Sequence, residues 1–78
     1  MKRYNLRGVR FREKALPLNA YQLIFDTSTD AEFSLAVSFA DYLGACDYTS
    51  APGVFACTIT GDTMEYQLPW RLDRFNAQ

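Results

Sequence analysis

The side chains able to do covalent or acid–base chemistry are few in this sequence, and none is arranged for it. There is no histidine, and the two cysteines, Cys46 and Cys57, belong to no CxxC pair. A structural zinc site takes four cysteine or histidine ligands, so a centre of that kind is excluded. No lysine follows Lys14, so neither cysteine has a cationic neighbour in sequence to make it a reactive thiolate. Both are expected to be buried free thiols. Glycine-rich phosphate loops are lacking, and a pair of carboxylates such as Asp41 and Asp47 offers acid–base chemistry only in the sense that any surface acids do. The chain is therefore read as non-enzymatic, with no cofactor and no metal.

What the sequence does hold is a segregation of charge. Residues 1 to 14 carry Lys2, Arg3, Arg7, Arg10, Arg12 and Lys14 against Glu13 alone. From residue 15 to residue 70 there is no cation, while Asp26, Asp30, Glu32, Asp41, Asp47, Asp62 and Glu65 are all negative. The formal net charge of −1 and the pI near 5.1 conceal this division. Charge asymmetry of this sort bears on partners rather than on fold. Asp30, Asp41 and Asp47, flanked by Ser34, Ser38 and Tyr48, are expected to form an acidic patch for a partner's basic surface. Arg10 and Arg12 form a second patch of opposite sign. The competing reading is internal neutralisation, with outward arginines opposite Asp26 and Glu65 across strands.

These residues must be held by a small body. Thr29 to Gly44 reads as the only helix: Thr29 with Glu32 is a capping box, Asp30 and Glu32 suit the positive end of the dipole, and Gly44 is the stop. Its apolar residues, Tyr42, Leu35, Phe39, Leu43, Ala36, Ala40, Phe33 and Val37, cover an arc wider than one sheet would hide. Either the sheet curls around it and Phe33 and Val37 complete the core, or this flank, or Tyr42, stays exposed to a partner.

Residues 3 to 14 read as one strand with a glycine bulge at Gly8, placing Tyr4, Leu6, Val9 and Phe11 inward and Arg3, Asn5, Arg7, Arg10, Arg12 and Lys14 outward. Tyr21 to Asp26 alternate as a second strand. Cys46 and Tyr48 open a third, ended by Ser50-Ala51-Pro52-Gly53; Val54 to Thr60 give a fourth. Gly61-Asp62 reads as a hairpin loop leading into a fifth strand, Thr63 to Leu68, stopped by Pro69. Trp70, Leu72 and Phe75 of the tail are expected to pack back on a core edge. The fold class is α+β, an antiparallel sheet of about five strands with one helix packed across it in the order ββαβββ, and residues 1–78 form a single domain. No apolar run approaches the ~20 residues of a membrane helix, and MKRYNLRGVR has no apolar region behind its charges. A soluble, cytoplasmic protein without membrane partners is expected.

Nucleic-acid binding through the basic first strand is one functional reading, with Arg3, Arg7, Arg10, Arg12 and Lys14 following phosphates and Tyr4 and Phe11 stacking. The inward direction of those rings and the acidity of the rest weigh against it. In size, single α+β domain, missing catalytic groups and separated acidic surface, the chain resembles small phage-encoded inhibitors of the anti-CRISPR type, a likeness of type rather than of motif. The resemblance implies a stoichiometric blocker, in the host cytoplasm, that docks on a CRISPR effector complex and competes with target DNA. Its contacts here would be Asp30, Asp41, Asp47, Arg10 and Arg12. The near-zero net charge departs from DNA mimicry. A structural subunit, monomeric or paired as a homodimer along a strand edge, is the plainer alternative.

Overall fold

The computed structural model describes residues 2–78. Five strands form one antiparallel sheet: β1 (Arg3–Leu6), β2 (Val9–Leu16), β3 (Ala20–Asp26), β4 (Cys46–Ala51) and β5 (Val54–Thr60), ordered β1-β2-β3-β5-β4. Helix α1 (Asp30–Leu43) joins β3 to β4, and a π-helical turn (Thr63–Gln67) runs into helix α2 (Leu68–Asn76). The α+β class and the five antiparallel strands agree with expectation, whereas the order ββαβββ becomes βββαββα.

Two local readings account for that change. At Gly8 the chain turns back instead of bulging: Arg7 and Gly8 have φ of 49° and 94°, and Leu6 pairs directly with Val9. Two consecutive positive φ values make the primed type of two-residue hairpin, whose twist matches the strands. Asn5 Oδ1 accepts from the Gly8 amide at 2.8 Å, and the Arg7 amide donates to Asn76 Oδ1 at 3.1 Å, anchoring a residue that is not a natural occupant of this turn. A hairpin also leaves Tyr4, Leu6, Val9 and Phe11 on one face, so the inward set is as expected for a different reason. Arg7 is lost from the outward set, because it sits in the turn with its guanidinium 5.2 Å from the Phe75 ring centroid.

The expected fifth strand is helical. Met64, Tyr66 and Leu68 alternate, but Met64, Leu68, Leu72 and Phe75 also recur at helical spacing across Pro69. Burial separates the two patterns, since Leu68 is buried and Tyr66 is 64% exposed. Thr60 Oγ1 accepts from the Thr63 amide at 3.1 Å and so caps the start of this segment, where a hairpin loop was expected. The Gly61 amide donates to Asn19 O at 2.7 Å, and a Cβ at this position would force the Asn19 side chain to move. Proline cannot bond back to the preceding turn. The chain meets it with a wider turn, in which the Leu68 amide reaches Thr63 O, five residues back.

Both helices lie on one face of the sheet. Its residues Leu6, Val9, Phe11, Leu23, Phe25, Phe55, Cys57 and Ile59 pack with Ala36, Phe39, Ala40 and Leu43 of α1 and with Leu68 and Leu72. The width of α1's apolar arc now has its cause: α2 covers the flank, with Phe75 edge-on to Phe39 at 5.2 Å and 6.1 Å from Tyr42. Val37 and Tyr42 are half-buried. Phe33 keeps 38% exposure while meeting Phe55 edge-on at 5.5 Å. The ends of α1 follow the capping residues. Thr29 Oγ1 accepts from the Glu32 amide at 3.2 Å, and Glu32 reaches back to the Ser28 amide and hydroxyl at 2.9 and 2.7 Å. Gly44, at φ 72°, closes it with a paired motif in which Ala45 N bonds Ala40 O and Gly44 N bonds Asp41 O.

Candidate charged surfaces on the two faces of the sheet

The other face of the sheet is left without a helix, and the strand registers decide what it carries. Arg3 pairs with Arg12 and Asn5 with Arg10 across β1 and β2, while Arg12 pairs with Ile24 across β2 and β3. With a period of two, Arg3, Asn5, Arg10, Arg12, Ile24 and Asp26 all project from this face. With Tyr4 and Phe11, whose rings stack on the covered side, they line a groove of about 350 Å³. Sequence reasoning named Arg10 and Arg12 as a patch, and the structure joins Arg3 to them. Arg3 was legible as an outward cation, but its place beside Arg12 needed the hairpin.

Of the two acids expected to oppose the arginines, Asp26 is on the arginine face, next in register to the Phe11–Phe25 pair and so across from Arg10, whereas Glu65 is not. Glu65 lies on the π turn, away from any strand. The acids that accept hydrogen bonds take them from neutral groups: Glu13 from the Tyr4 hydroxyl at 2.8 Å, Glu32 from Ser28, and Asp41 from the Tyr48 hydroxyl at 2.5 Å. Arg71 donates to Gln67 and to Tyr42 O, and Arg7 donates to Gln78 O. Among the described residues this leaves Arg3, Arg10 and Arg12 without a hydrogen-bonded acid, and Asp26 is the one carboxylate lining their groove.

Three of the other acids, Asp30, Glu32 and Asp41, are carried by α1. Asp30 and Asp41 are exposed at opposite ends of α1, eleven residues and roughly 16 Å of helix apart. They therefore form a strip rather than a compact cluster. Asp41 is tied to β4 through Tyr48, whose ring stands edge-on to Phe55 at 5.4 Å. Partial burial first, and the bond to Asp41 second, push the Tyr48 hydroxyl up to about 12. Asp47, next in the chain to Tyr48, is exposed with φ 55° at the irregularity in β4 pairing between Cys46 and Thr49. Strand β4 is exposed along its whole length and forms the free edge of the sheet, whereas β1 is bridged by α2 through Asn76, which donates to Asn5 O at 3.0 Å.

The cysteines correct one expectation. Both are free, but only Cys57 is buried; Cys46 is exposed on β4, an edge strand. Burial pushes the Cys57 thiol up to about 12, which makes it a poor nucleophile. No group of three or more potential metal ligands occurs among the described residues. No helix among them is long and apolar enough to cross a membrane. No protein family, curated relative or solved structure matches the chain.

Proposed function

We propose that this domain is a non-enzymatic binding protein that docks on a nucleic-acid-handling complex and blocks its access to target. The observation that carries the reading is that Arg3, Arg10 and Arg12 project from the uncovered face while Asp30 and Asp41 are carried by α1 on the other side of the sheet. The arginines of the uncovered face and the carboxylates along α1 each remain available to a partner. Charged surfaces of this kind speed encounter, fix orientation and reject like-charged competitors. The resemblance to anti-CRISPR inhibitors names a CRISPR effector complex as the partner class, in the host cytoplasm, with Asp30, Asp41 and Asp47 against its basic surface and Arg10 and Arg12 as the second contact.

Expression in bacteria whose CRISPR immunity blocks a phage tests this reading. Plaque formation should return with the wild-type chain and fall with an Asp30, Asp41, Asp47 triple alanine and with an Arg10, Arg12 double glutamine. Failure to restore plaques in any of a panel of CRISPR-protected hosts removes the proposal. The groove favours a second reading, direct nucleic-acid binding, since it gathers three guanidinium groups. Tyr4 and Phe11 oppose that reading, as they stack on each other at 4.9 Å on the covered side of the sheet and offer no platform to a base.

A further inference from the structure

We infer that the groove on the uncovered face is a binding site for a nucleotide-sized ligand bearing a phosphate or diphosphate group. The inference rests on the reading of Arg10 and Arg12 as contact residues and states what chemistry they take. Three observations carry it.

Like charges placed directly opposite on neighbouring strands are unfavourable, yet Arg3 and Arg12 hold that relation with no hydrogen-bonded acid among the described residues. An anion lying between them removes the repulsion. Guanidinium forks match phosphate oxygens two at a time, and Arg10, two residues along the same face, adds a third fork. The size is right as well: about 350 Å³ falls in the lower part of the range for small-molecule sites, roughly 300–1,000 Å³. An extended protein surface would not need this concavity.

Beyond the arginines, Ile24, Asn5 and Asp26 present side chains to the groove, while Tyr4 and Phe11 line it from strands whose rings point to the covered side. Ile24, half-buried and paired with Arg12, supplies an apolar patch beside the phosphate end. Asn5 has its Oδ1 engaged by the Gly8 amide, so its amide nitrogen is the end left to donate. Asp26 supplies an acceptor on the third strand. Asn5 and Asp26 lie on β1 and β3, on either side of Arg10. A donor and an acceptor therefore stand at opposite walls of the groove and meet polar groups at the two ends of a bound nucleoside rather than one base edge. A nucleic-acid strand is disfavoured, because the hairpin's aromatic rings are turned to the other face.

Amide chemical-shift titrations of the full chain with ADP, adenosine, inorganic pyrophosphate and a short single-stranded oligonucleotide test this. ADP should shift amides of residues 3–5, 10–12 and 24–26 saturably, pyrophosphate should shift those of 3 and 10–12, and adenosine should bind far more weakly. An Arg3→Gln, Arg12→Gln double variant, checked for an unchanged far-ultraviolet spectrum, should lose affinity for ADP by about tenfold or more. The proposal is overturned if ADP leaves those amides unmoved at millimolar concentration, if the double variant binds as the wild type does, or if the oligonucleotide saturates the same residues at far lower concentration than ADP. A chain that suppresses CRISPR immunity but ignores ADP refutes this site alone. One that binds ADP without restoring plaques refutes the docking reading alone.

Discussion

Arg3 and Arg12 are cross-strand partners on the uncovered face of the first hairpin, so two guanidinium groups meet where a sheet would ordinarily place an opposite-charge pair. Relieving that repulsion should stabilise the fold. Arg3→Glu is predicted to raise the free energy of unfolding by about 0.2–1 kcal/mol, with the gain shrinking as salt is added. Urea unfolding at low and high ionic strength measures it. A loss of stability at low salt would mean the two side chains do not share one surface.

The second helix is predicted to be part of the core rather than an appendage. Leu72 is buried against the cluster of Phe39 and Leu68, so Leu72→Ala should cost about 2–5 kcal/mol. Trp70 is 45% exposed and rests on Arg71, 4.9 Å from the guanidinium, so Trp70→Ala should cost less than about 1 kcal/mol. Equal costs for the two would contradict the placement of α2.

At the start of α1, Thr29→Ala should destabilise by about 1 kcal/mol, within a range of roughly 0.5–2. Hydrogen bonds from the Ser28 hydroxyl, then from the Ser28 amide, hold the Glu32 carboxyl below its ordinary value. A lowered native value means this contribution is present above the ordinary glutamate value of about 4.3 and is lost as pH falls through the lower native one. Urea midpoints followed down from about pH 5 should therefore decline less steeply in Glu32→Gln than in the wild type. Parallel declines would show the bonds to Ser28 to be absent in solution.

Tyr48 gives the opposite sign. With its hydroxyl pushed up to about 12, its contribution is intact below the ordinary tyrosine value of about 10 and is lost as pH rises through the native value. Asp41→Asn removes the neighbouring negative charge, so one tyrosine should move down in a tyrosinate absorbance titration. Identical titration curves for wild type and Asp41→Asn would separate Tyr48 from Asp41.

The legible parts of the molecule were those set by local chemistry. Thr29, Glu32 and Gly44 bounded α1 through their own side chain or lack of one, alternation identified β3, and β-branched and aromatic residues identified β5. The illegible parts depended on contacts between distant segments. An arginine in a left-handed turn is disfavoured in isolation, and Arg7 is accepted there because Asn76, far along the chain, holds its amide. Residues Thr63 to Leu68 satisfy strand and helix periodicity alike, and only the burial of Leu68 with Leu72 decides between them. The groove was partly unreadable as well: Arg3, Arg10 and Arg12 were legible as outward cations, but the hairpin sets Arg3 beside Arg12 and the β2–β3 register sets Ile24 there. Asp30 and Asp41 were legible as acids on the outer side of α1, though the bond from Tyr48 to Asp41 was not.

The most direct test of the central claim, that the two charged faces dock on a complex and exclude its target, is a competition measurement. Labelled target DNA is bound to a purified CRISPR effector complex, taken from a host whose immunity the chain suppresses, and the chain is titrated in. The account predicts stoichiometric loss of bound DNA with the wild type and little loss with the Arg10, Arg12 double glutamine or the Asp30, Asp41, Asp47 triple alanine. Undisturbed DNA binding at excess chain, or equal displacement by all three proteins, would contradict it.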